Sequence, residues 1–283
     1  MNLPADDWTA ETATRTLTTD DGARLALTVV GPPAPGDGST VVLAHGWAAN
    51  RGMWRRVVDI LADAGYTSVL YDQRGHGAST LGREPIGIER LGRDLATVLD
   101  HVDATDAVLA GHSGGGFAAM AYATADVPAA AARLRGMLLL GTAAHDQDTS
   151  EGEVRMMGNP LFSWALARPW LGRRMLRHTM GNDIDAPALE VNRRMFAGTP
   201  GQVRAACFRC SRGMDLRRGL AAVTVPTTVL SGEVDKVIAP HLGEVIAQTM
   251  PHAHYERLAD AGHMLPLERP ERVAQAVVEL ASP

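Results

Sequence analysis

The stretch Gly111-His112-Ser113-Gly114-Gly115 decides the fold, because it has the form G-x-S-x-G and lies between two structured segments. Before it, residues 107–110 form a short apolar run that predicts a buried strand, and after it the small residues 115–123 predict a helix. So sharp a turn strains the serine backbone, and the neighbouring glycines avoid the steric clash that a Cβ would cause there. The hydroxyl is then exposed at a helix N-terminus, where amides favour a developing anion. The pattern predicts Ser113 as a nucleophile; the alternative is a glycine-rich turn with a capping serine.

Strand-like and helix-like segments alternate on both sides of this turn. The predicted strands are residues 24–30, 41–44, 67–71, 107–110, 137–140 and 227–230, and the predicted helices are residues 53–61, 88–102, 115–123 and the tail from Pro270. Such alternation predicts an α/β fold with a mostly parallel sheet flanked by helices. The alternation stops between about His145 and Arg218, where the pattern is helical. We therefore predict core parts at residues 1–144 and 221–283, with an inserted helical lid at residues 145–220.

Composition excludes several classes of protein. A formal net charge of -5 is inconsistent with a general nucleic-acid binder, which is usually strongly basic. Residues 1–7 lack the features of a secretory signal, and no apolar run approaches the roughly 20 residues of a spanning helix. Cys207 and Cys210 form neither a disulfide framework nor, without a second pair, a zinc site. We expect a cytoplasmic protein without a membrane-spanning segment, a metal or an organic cofactor, acting on a small molecule.

The segment His45-Gly46-Trp47 follows the strand at residues 41–44 and predicts part of an oxyanion hole. In acyl transfer, two backbone N–H groups must meet the tetrahedral oxyanion. The amides of Gly114 and Trp47 are the candidates; the alternative is a plain turn with Trp47 in the core. His45 is interpreted as a structural hydrogen-bonding residue.

Asp72 and Arg74 follow the next predicted strand and resemble catalytic groups. We interpret them as a buried ion pair that ties two loops together, and we exclude both from the site.

An acid and a base are expected after the nucleophile, in the order Ser, Asp or Glu, His. Asp235 lies just past the strand at residues 227–230, and it is preferred to Glu233 because it is further from the strand end. His263 follows a glycine in a loop before the last helix, and a histidine can accept and return a proton near neutral pH. His252 and His254 are the exposed alternatives. We predict His263 as the base and Asp235 as the group that orients it.

Together these segments resemble the α/β-hydrolase family, over nearly the whole chain. The resemblance implies a Ser113–His263–Asp235 triad and an oxyanion hole formed by the amides of Trp47 and Gly114. Relatives include lipases, carboxylesterases, lactonases, C–C hydrolases and perhydrolases, whereas related epoxide hydrolases and haloalkane dehalogenases have an Asp nucleophile where this chain has Ser113. Many relatives carry methionine after the nucleophile, and Gly114 is expected to leave more room beside the serine.

The lid is rich in methionine and tryptophan, which predicts an apolar substrate pocket. Its candidate lining residues are Met157, Phe162 and Trp164, with Met264 from the core; the alternative is that they only pack the lid onto the core. Residues 151–218 carry twelve arginines and six acidic residues. This excess of positive charge is compatible with contact to an anionic lipid surface or to an acidic substrate. A solvated arginine face is the plainer interpretation.

The resulting prediction is a serine hydrolase that cleaves a carboxylic ester with an apolar acyl or alcohol part through an acyl-enzyme. C–C bond, lactone or thioester hydrolysis on the same fold remains an alternative. A ligand receptor with little turnover is a further alternative, and the presence of all three triad residue types argues against it.

Overall fold

Eight strands form one sheet in the computed structural model of this chain, which describes residues 13–31, 40–183 and 185–282. The N-terminal residues 1–7, in which no signal was predicted, lie outside the described residues. The strands are β1 (Ala13–Thr18), β2 (Arg24–Val30), β3 (Thr40–Ala44), β4 (Thr67–Tyr71), β5 (Ala107–His112), β6 (Leu134–Leu140), β7 (Thr227–Gly232) and β8 (Ala253–Leu258).

The order across the sheet is β1-β2-β4-β3-β5-β6-β7-β8. The β1–β2 and β2–β4 pairs are antiparallel, and every pair from β4 to β8 is parallel. This confirms the predicted α/β fold with a mostly parallel sheet. The first strand was not predicted, because its sequence, Ala-Thr-Arg-Thr-Leu-Thr, is mostly polar, as suits the edge of the sheet.

The helices of the described residues follow the strands in the expected alternation. They are α1 (Arg55–Asp63), α2 (Ile88–His101), α3 (Gly114–Ala125), α4 (Val127–Arg133), α5 (Glu151–Gly158), α6 (Pro160–Ala167), α7 (Pro169–Leu176), α8 (Ala186–Gly198), α9 (Gly201–Cys210), α10 (Arg217–Leu220), α11 (Pro240–Thr249), α12 (Leu265–Glu268) and α13 (Pro270–Ala281), with short 3-10 helices at Arg51–Trp54 and Arg177–Thr179.

The sheet buries both of its faces because its central strands contain continuous apolar runs, such as residues 41–44 and 107–110. In β5, Ala107 and Leu109 pack on the side of α2 and α3, whereas Val108 and Ala110 pack on the side of α1 and α13. Successive side chains of a strand point to opposite faces, so a strand covered on both sides has to be apolar throughout. The core therefore consists of two apolar layers, and polar side chains are left for the loops at the strand ends.

Helices α5 to α10 lie between β6 and β7, in the segment that we call the lid (residues 145–220). The two ends of the lid meet, because His145 pairs with Asp215 as an isolated bridge and the Leu216 N–H donates to the Ala144 carbonyl at 2.8 Å. Adjacent ends are what an insertion into a continuous core requires. The division at residues 145 and 220 remains a prediction.

Asp72 and Arg74 are buried, but they do not pair with each other, so that prediction is wrong. Asp72 pairs with Arg51 in the loop after β3, and also accepts the backbone N–H of Arg51 at 2.8 Å. Arg74 pairs instead with Asp21 and Asp94. The reason is that each side chain meets an opposite charge on a different neighbouring segment.

No helix within the described residues is both long enough and apolar enough to cross a membrane.

Candidate active site

The loops that leave β3, β5, β7 and β8 at their carboxyl ends bring the predicted site residues to one edge of the sheet. Ser113 stands between β5 and α3 with φ 50° and ψ -117°, a strained conformation for a residue with a side chain. Its N–H donates to the Leu140 carbonyl at 2.8 Å, and its own carbonyl accepts the Thr142 hydroxyl at 2.9 Å. The end of β6 and the loop after it thus hold both the N–H and the carbonyl of the serine.

Gly115 allows the first turn of α3 to approach β3 closely. A Cβ on Gly115 would lie 2.1 Å from the carbonyl oxygen of Ala44. No real Cβ occupies such a position, so the glycine is required by packing as well as by the bend. This close approach brings the Gly114 amide beside the loop that begins at His45, where the two predicted oxyanion donors belong.

Trp47 fills the space that Gly114 was expected to leave open. A Cβ on Gly114 would lie 2.2 Å from Cδ1 of the Trp47 indole. The indole also packs against Phe117 of α3, with ring centroids 5.1 Å apart, and against Phe208 of the lid, at 5.7 Å. The absence of a side chain at position 114 therefore seats a tryptophan instead of enlarging the cavity, and the expectation of more room is wrong.

His263 and Asp235 are in direct contact. The Nδ1 atom of His263 lies 2.9 Å from Oδ2 of Asp235, and both residues are buried. The other oxygen of Asp235 accepts the backbone N–H groups of Val237 at 2.7 Å and Ile238 at 3.0 Å. Asp235 is thus oriented by its own loop, whereas Glu233 is exposed and accepts the Asp260 N–H at 3.4 Å.

The loop that carries His263 is anchored by residues that sequence reasoning missed. Glu268 of α12 accepts the N–H groups of Gly262 and Met264, each at 2.9 Å, and that of Gly181 from the lid at 2.7 Å. The His263 N–H donates to the Thr179 carbonyl at 2.8 Å. The lid and the His263 loop are therefore held together, and the only sequence signal for Glu268 was its nearness to His263.

His112, the residue before the serine, was also missed as a supporting residue. Its Nε2 lies 2.8 Å from the His263 carbonyl oxygen, so this nitrogen carries the proton and donates it. Burial, followed by the nearby His263, lowers the pKa of His112 well below its usual value, and the ring is neutral near pH 7. A neutral ring places no positive charge beside His263.

His45 is a structural hydrogen-bonding residue, as predicted. Its Nε2 accepts the Gln73 N–H at 2.9 Å, and its Nδ1 lies 2.7 Å from the Gly46 carbonyl. Burial lowers the pKa of His45 to about 4, which keeps the ring neutral and holds one tautomer. The loop that carries Trp47 is thereby tied to the loop after β4.

Ser113 and His263 line one cavity of about 450 Å³ between core and lid. Its walls are mostly apolar, with lining residues that include Trp47, Phe117, Met156, Met157, Phe162, Met175, Leu176, Phe196, Phe208, Val237, Ile238 and Met264. A cavity of this size and lining is typical of a site for a small apolar ligand. The exposed Lys236, the only lysine of the chain, also lines it.

Of the four predicted pocket residues, Met157, Phe162 and Met264 line this cavity, and Trp164 does not. The side chain of Trp164 is 55% exposed, and the guanidinium of Arg168 lies 5.0 Å from its ring centroid. The reason is helical phase, since Phe162 and the buried Leu166 are four residues apart on one face of α6, and position 164 faces away from them.

The two lid cysteines are free thiols. Burial raises the pKa of Cys207 well above its usual value and raises that of Cys210 to about 12. Because the thiolate is the reactive form, neither residue has the character of a nucleophile.

Comparison with known proteins gives consistent matches over the length of the chain. The sequence profile of the Alpha/beta hydrolase family matches residues 41–276. The 3-oxoadipate enol-lactonase 1 of Acinetobacter baylyi is 27% identical over 264 residues, covering 92% of this chain and 93% of that protein.

Two solved structures have the same overall fold as this chain. The enol-lactonase of Burkholderia xenovorans has a TM-score of 0.82 at 25% identity, and the match covers 94% of this chain and 99% of that one. A thermophilic esterase from Thermogutta terrifontis has a TM-score of 0.77 at 27% identity, with 96% and 100% covered.

Proposed function

Because this chain belongs to the alpha/beta hydrolase family, we propose that it is a serine hydrolase that cleaves carboxylic esters through an acyl-enzyme on Ser113. The observation that carries the proposal is the contact of His263 with Asp235 at 2.9 Å, on the wall of the cavity that Ser113 also lines. A strained serine, an oriented histidine and an apolar cavity at one place are the combination that acyl transfer requires.

The proposed mechanism begins with the tautomer of His263. Asp235 accepts a hydrogen bond from the protonated Nδ1 of His263, which leaves Nε2 unprotonated. Nε2 can then take the proton of the Ser113 hydroxyl as the serine oxygen attacks the ester carbonyl. The amides of Trp47 and Gly114 would hold the oxyanion. His263 then returns the proton to the departing alcohol, and a water molecule activated by the same imidazole releases the acid from Ser113.

The cavity favours esters with an apolar acyl or alcohol part. Its volume of about 450 Å³ suits a small molecule, and most of its wall is apolar. Lactones are the second candidate substrate, because the relative at 27% identity over 264 residues is an enol-lactonase. Ring opening uses the same steps, except that the alcohol produced stays attached to the acyl group.

Labelling with a fluorophosphonate tests the nucleophile. We expect fast, stoichiometric labelling of the wild type, none of Ser113→Ala, and unchanged labelling of Ser282→Ala, whose serine is exposed past the end of α13. Asp235→Asn should lower kcat by about 10⁴-fold, because the imidazole then loses its oriented tautomer. Labelling of Ser113→Ala at the wild-type rate would refute the assignment.

A substrate panel tests the bond that is cleaved. Aryl esters of increasing acyl length, γ- and δ-lactones, thioesters and a C–C hydrolase substrate are compared at equal concentration. The proposal expects the highest kcat/KM among the esters and lactones, lost in Ser113→Ala. Stoichiometric labelling with turnover of thioesters or C–C substrates alone would contradict the ester assignment, and labelling without any turnover would favour a receptor.

A further inference from the structure

The outer face of the lid carries an unusual concentration of exposed apolar side chains. Within the described residues, five large hydrophobic side chains are markedly exposed, and four of them lie on α5 to α7: Leu161 at 75%, Trp170 at 68%, Trp164 at 55% and Met156 at 43%. We call these four residues the lid tip. Exposed apolar side chains that are concentrated on three consecutive helices mark a contact site far more often than scattered exposure does.

The lid tip is exposed although α6 and α7 already have a buried side. Leu166 of α6 and Leu176 of α7 are buried, and Phe162 lines the cavity. An ordinary surface helix turns polar residues to the solvent once one face is covered. Here the second face is also apolar, so packing of the lid onto the core does not account for Trp164 and Trp170.

Positive charge predominates around the lid tip, although Glu151 and Glu153 lie on the same helix as Met156. Residues 154–182 contain five arginines and no acidic residue, in a chain of net charge -5. Arg168, Arg174 and Arg177 are exposed, and none has a carboxylate within ion-pair distance in the part of the chain that the structure describes. Arg168 lies over the ring of Trp164. Unpaired cations beside tryptophans match an anionic, amphipathic surface.

We propose that the lid tip binds the surface of an anionic lipid bilayer. The tryptophan and leucine side chains would enter the headgroup boundary, and the arginines would meet the lipid phosphates. The surface adjoins the cavity, because Met156 belongs to both and Phe162 lines the cavity from the next helix, α6. Docking would therefore place this side of the cavity against the lipid, where, on the proposed function, the apolar ester substrates concentrate.

Vesicle co-sedimentation tests this proposal independently of catalysis, because it is done with the Ser113→Ala protein. We expect binding to vesicles of phosphatidylcholine with phosphatidylglycerol, little binding to phosphatidylcholine alone, and weakening as salt is added. The Trp164→Ser/Trp170→Ser double variant should lose at least about tenfold in affinity. Arg168→Gln and Arg174→Gln should each lose about fivefold.

Matched controls lie on other surfaces. Leu81→Ser removes the fifth exposed hydrophobic side chain, and Arg24→Gln removes an exposed arginine of β2; both should bind as Ser113→Ala does. Equal binding to neutral and anionic vesicles, or none to either, overturns the proposal. A dimer without lipid that becomes a monomer in the tryptophan double variant, measured by sedimentation velocity, would also overturn it, because the lid tip would then be covered by a second copy.

Discussion

The core and the lid each bury one arginine completely, Arg74 and Arg204, and they hold it in different ways. Arg74 donates four hydrogen bonds to the carboxylates of Asp21 and Asp94, at 2.6 to 3.1 Å. Burial alone would lower the pKa of Arg74, but the hydrogen bonds from Asp94 and Asp21 outweigh it, and the net shift is upward. The core cation is thus neutralised by segments far apart in sequence.

Arg204 has no such charge partner within the described residues. It donates to the Phe196 and Thr199 carbonyls, to the Met157 carbonyl and to the Ser163 hydroxyl, at 2.5 to 3.2 Å. Burial lowers the pKa of Arg204. Its carbonyl partners lie at or just past the carboxyl ends of α5 and α8, where helix carbonyls lack intrahelical partners.

The difference shows two ways of stabilising a buried cation. In the core, opposite charges hold together segments that are distant in sequence, so the loss of one charged side chain leaves its buried partners unpaired. In the lid, the Arg204 side chain donates hydrogen bonds at helix ends, which carry only partial negative charge. We therefore expect the core to be rigid and the lid to open at lower free energy.

The largest effect is expected for Arg74→Met. The substitution leaves the Asp21 carboxylate buried without its cation, which should destabilise the protein by about 3–5 kcal/mol. Urea unfolding measures the loss. The same change at the exposed Arg24 should cost less than about 0.5 kcal/mol, and similar values for the two variants would contradict the comparison.

A change at the boundary of core and lid should reduce activity more than stability. In Gly114→Ala the new Cβ would lie 2.2 Å from the Trp47 indole and displace it, with the loop that carries the proposed oxyanion amide. We expect kcat/KM for esters to fall by about 100-fold. Gly198→Ala is the control, because a Cβ there meets nothing within 4 Å. Unchanged kinetics in Gly114→Ala would refute the expected dependence of activity on the position of the Trp47 indole.

Arg204→Met should destabilise the lid by about 1–3 kcal/mol, because several buried acceptors lose their donor. Hydrogen exchange should rise in α5 and α8 while the strands β3 and β5 stay protected. Arg209→Met changes an exposed arginine on the same helix and should leave exchange unaltered. A uniform rise across core and lid would show that the two regions open together.

The smallest expected effect is on the stability of the lid at low pH. Hydrogen bonds from Arg193, Arg194 and Arg173 lower the pKa of Glu190 in the lid to about 2, from 4.5. A lowered pKa contributes stability that is complete above about pH 4.5 and is lost as pH falls towards 2. Glu190→Gln should remove about 1 kcal/mol of this acid dependence, measured as lid exchange against pH. Glu89→Gln, an exposed change on α2, should leave it intact.

The sequence predicted the parallel strands well, because a strand covered on both faces is a continuous apolar run, as in β3 and β5. It also predicted which carboxylate lies beside His263. It did not predict β1, whose polar pattern suits the edge of a sheet, and it misplaced Trp164, because composition alone does not give the phase of a helix.

The supporting residues of the site were harder to find. Glu268 and His112 act on backbone groups of the His263 loop, at Gly262, Met264 and the His263 carbonyl. Contacts with the main chain require no particular partner side chain, so they leave no motif to recognise. The roles of Ser113 and His263 in catalysis remain predictions, which the labelling of Ser113→Ala and the kinetics of Asp235→Asn test.

Lys236 has a practical consequence for handling the protein. It is the only lysine of the chain, and it stands beside Asp235 at the wall of the cavity. Reagents that acylate amines have just this side chain and the terminal amino group to react with. Immobilisation or dye coupling through lysine would therefore attach the linker at the wall of the cavity and obstruct it.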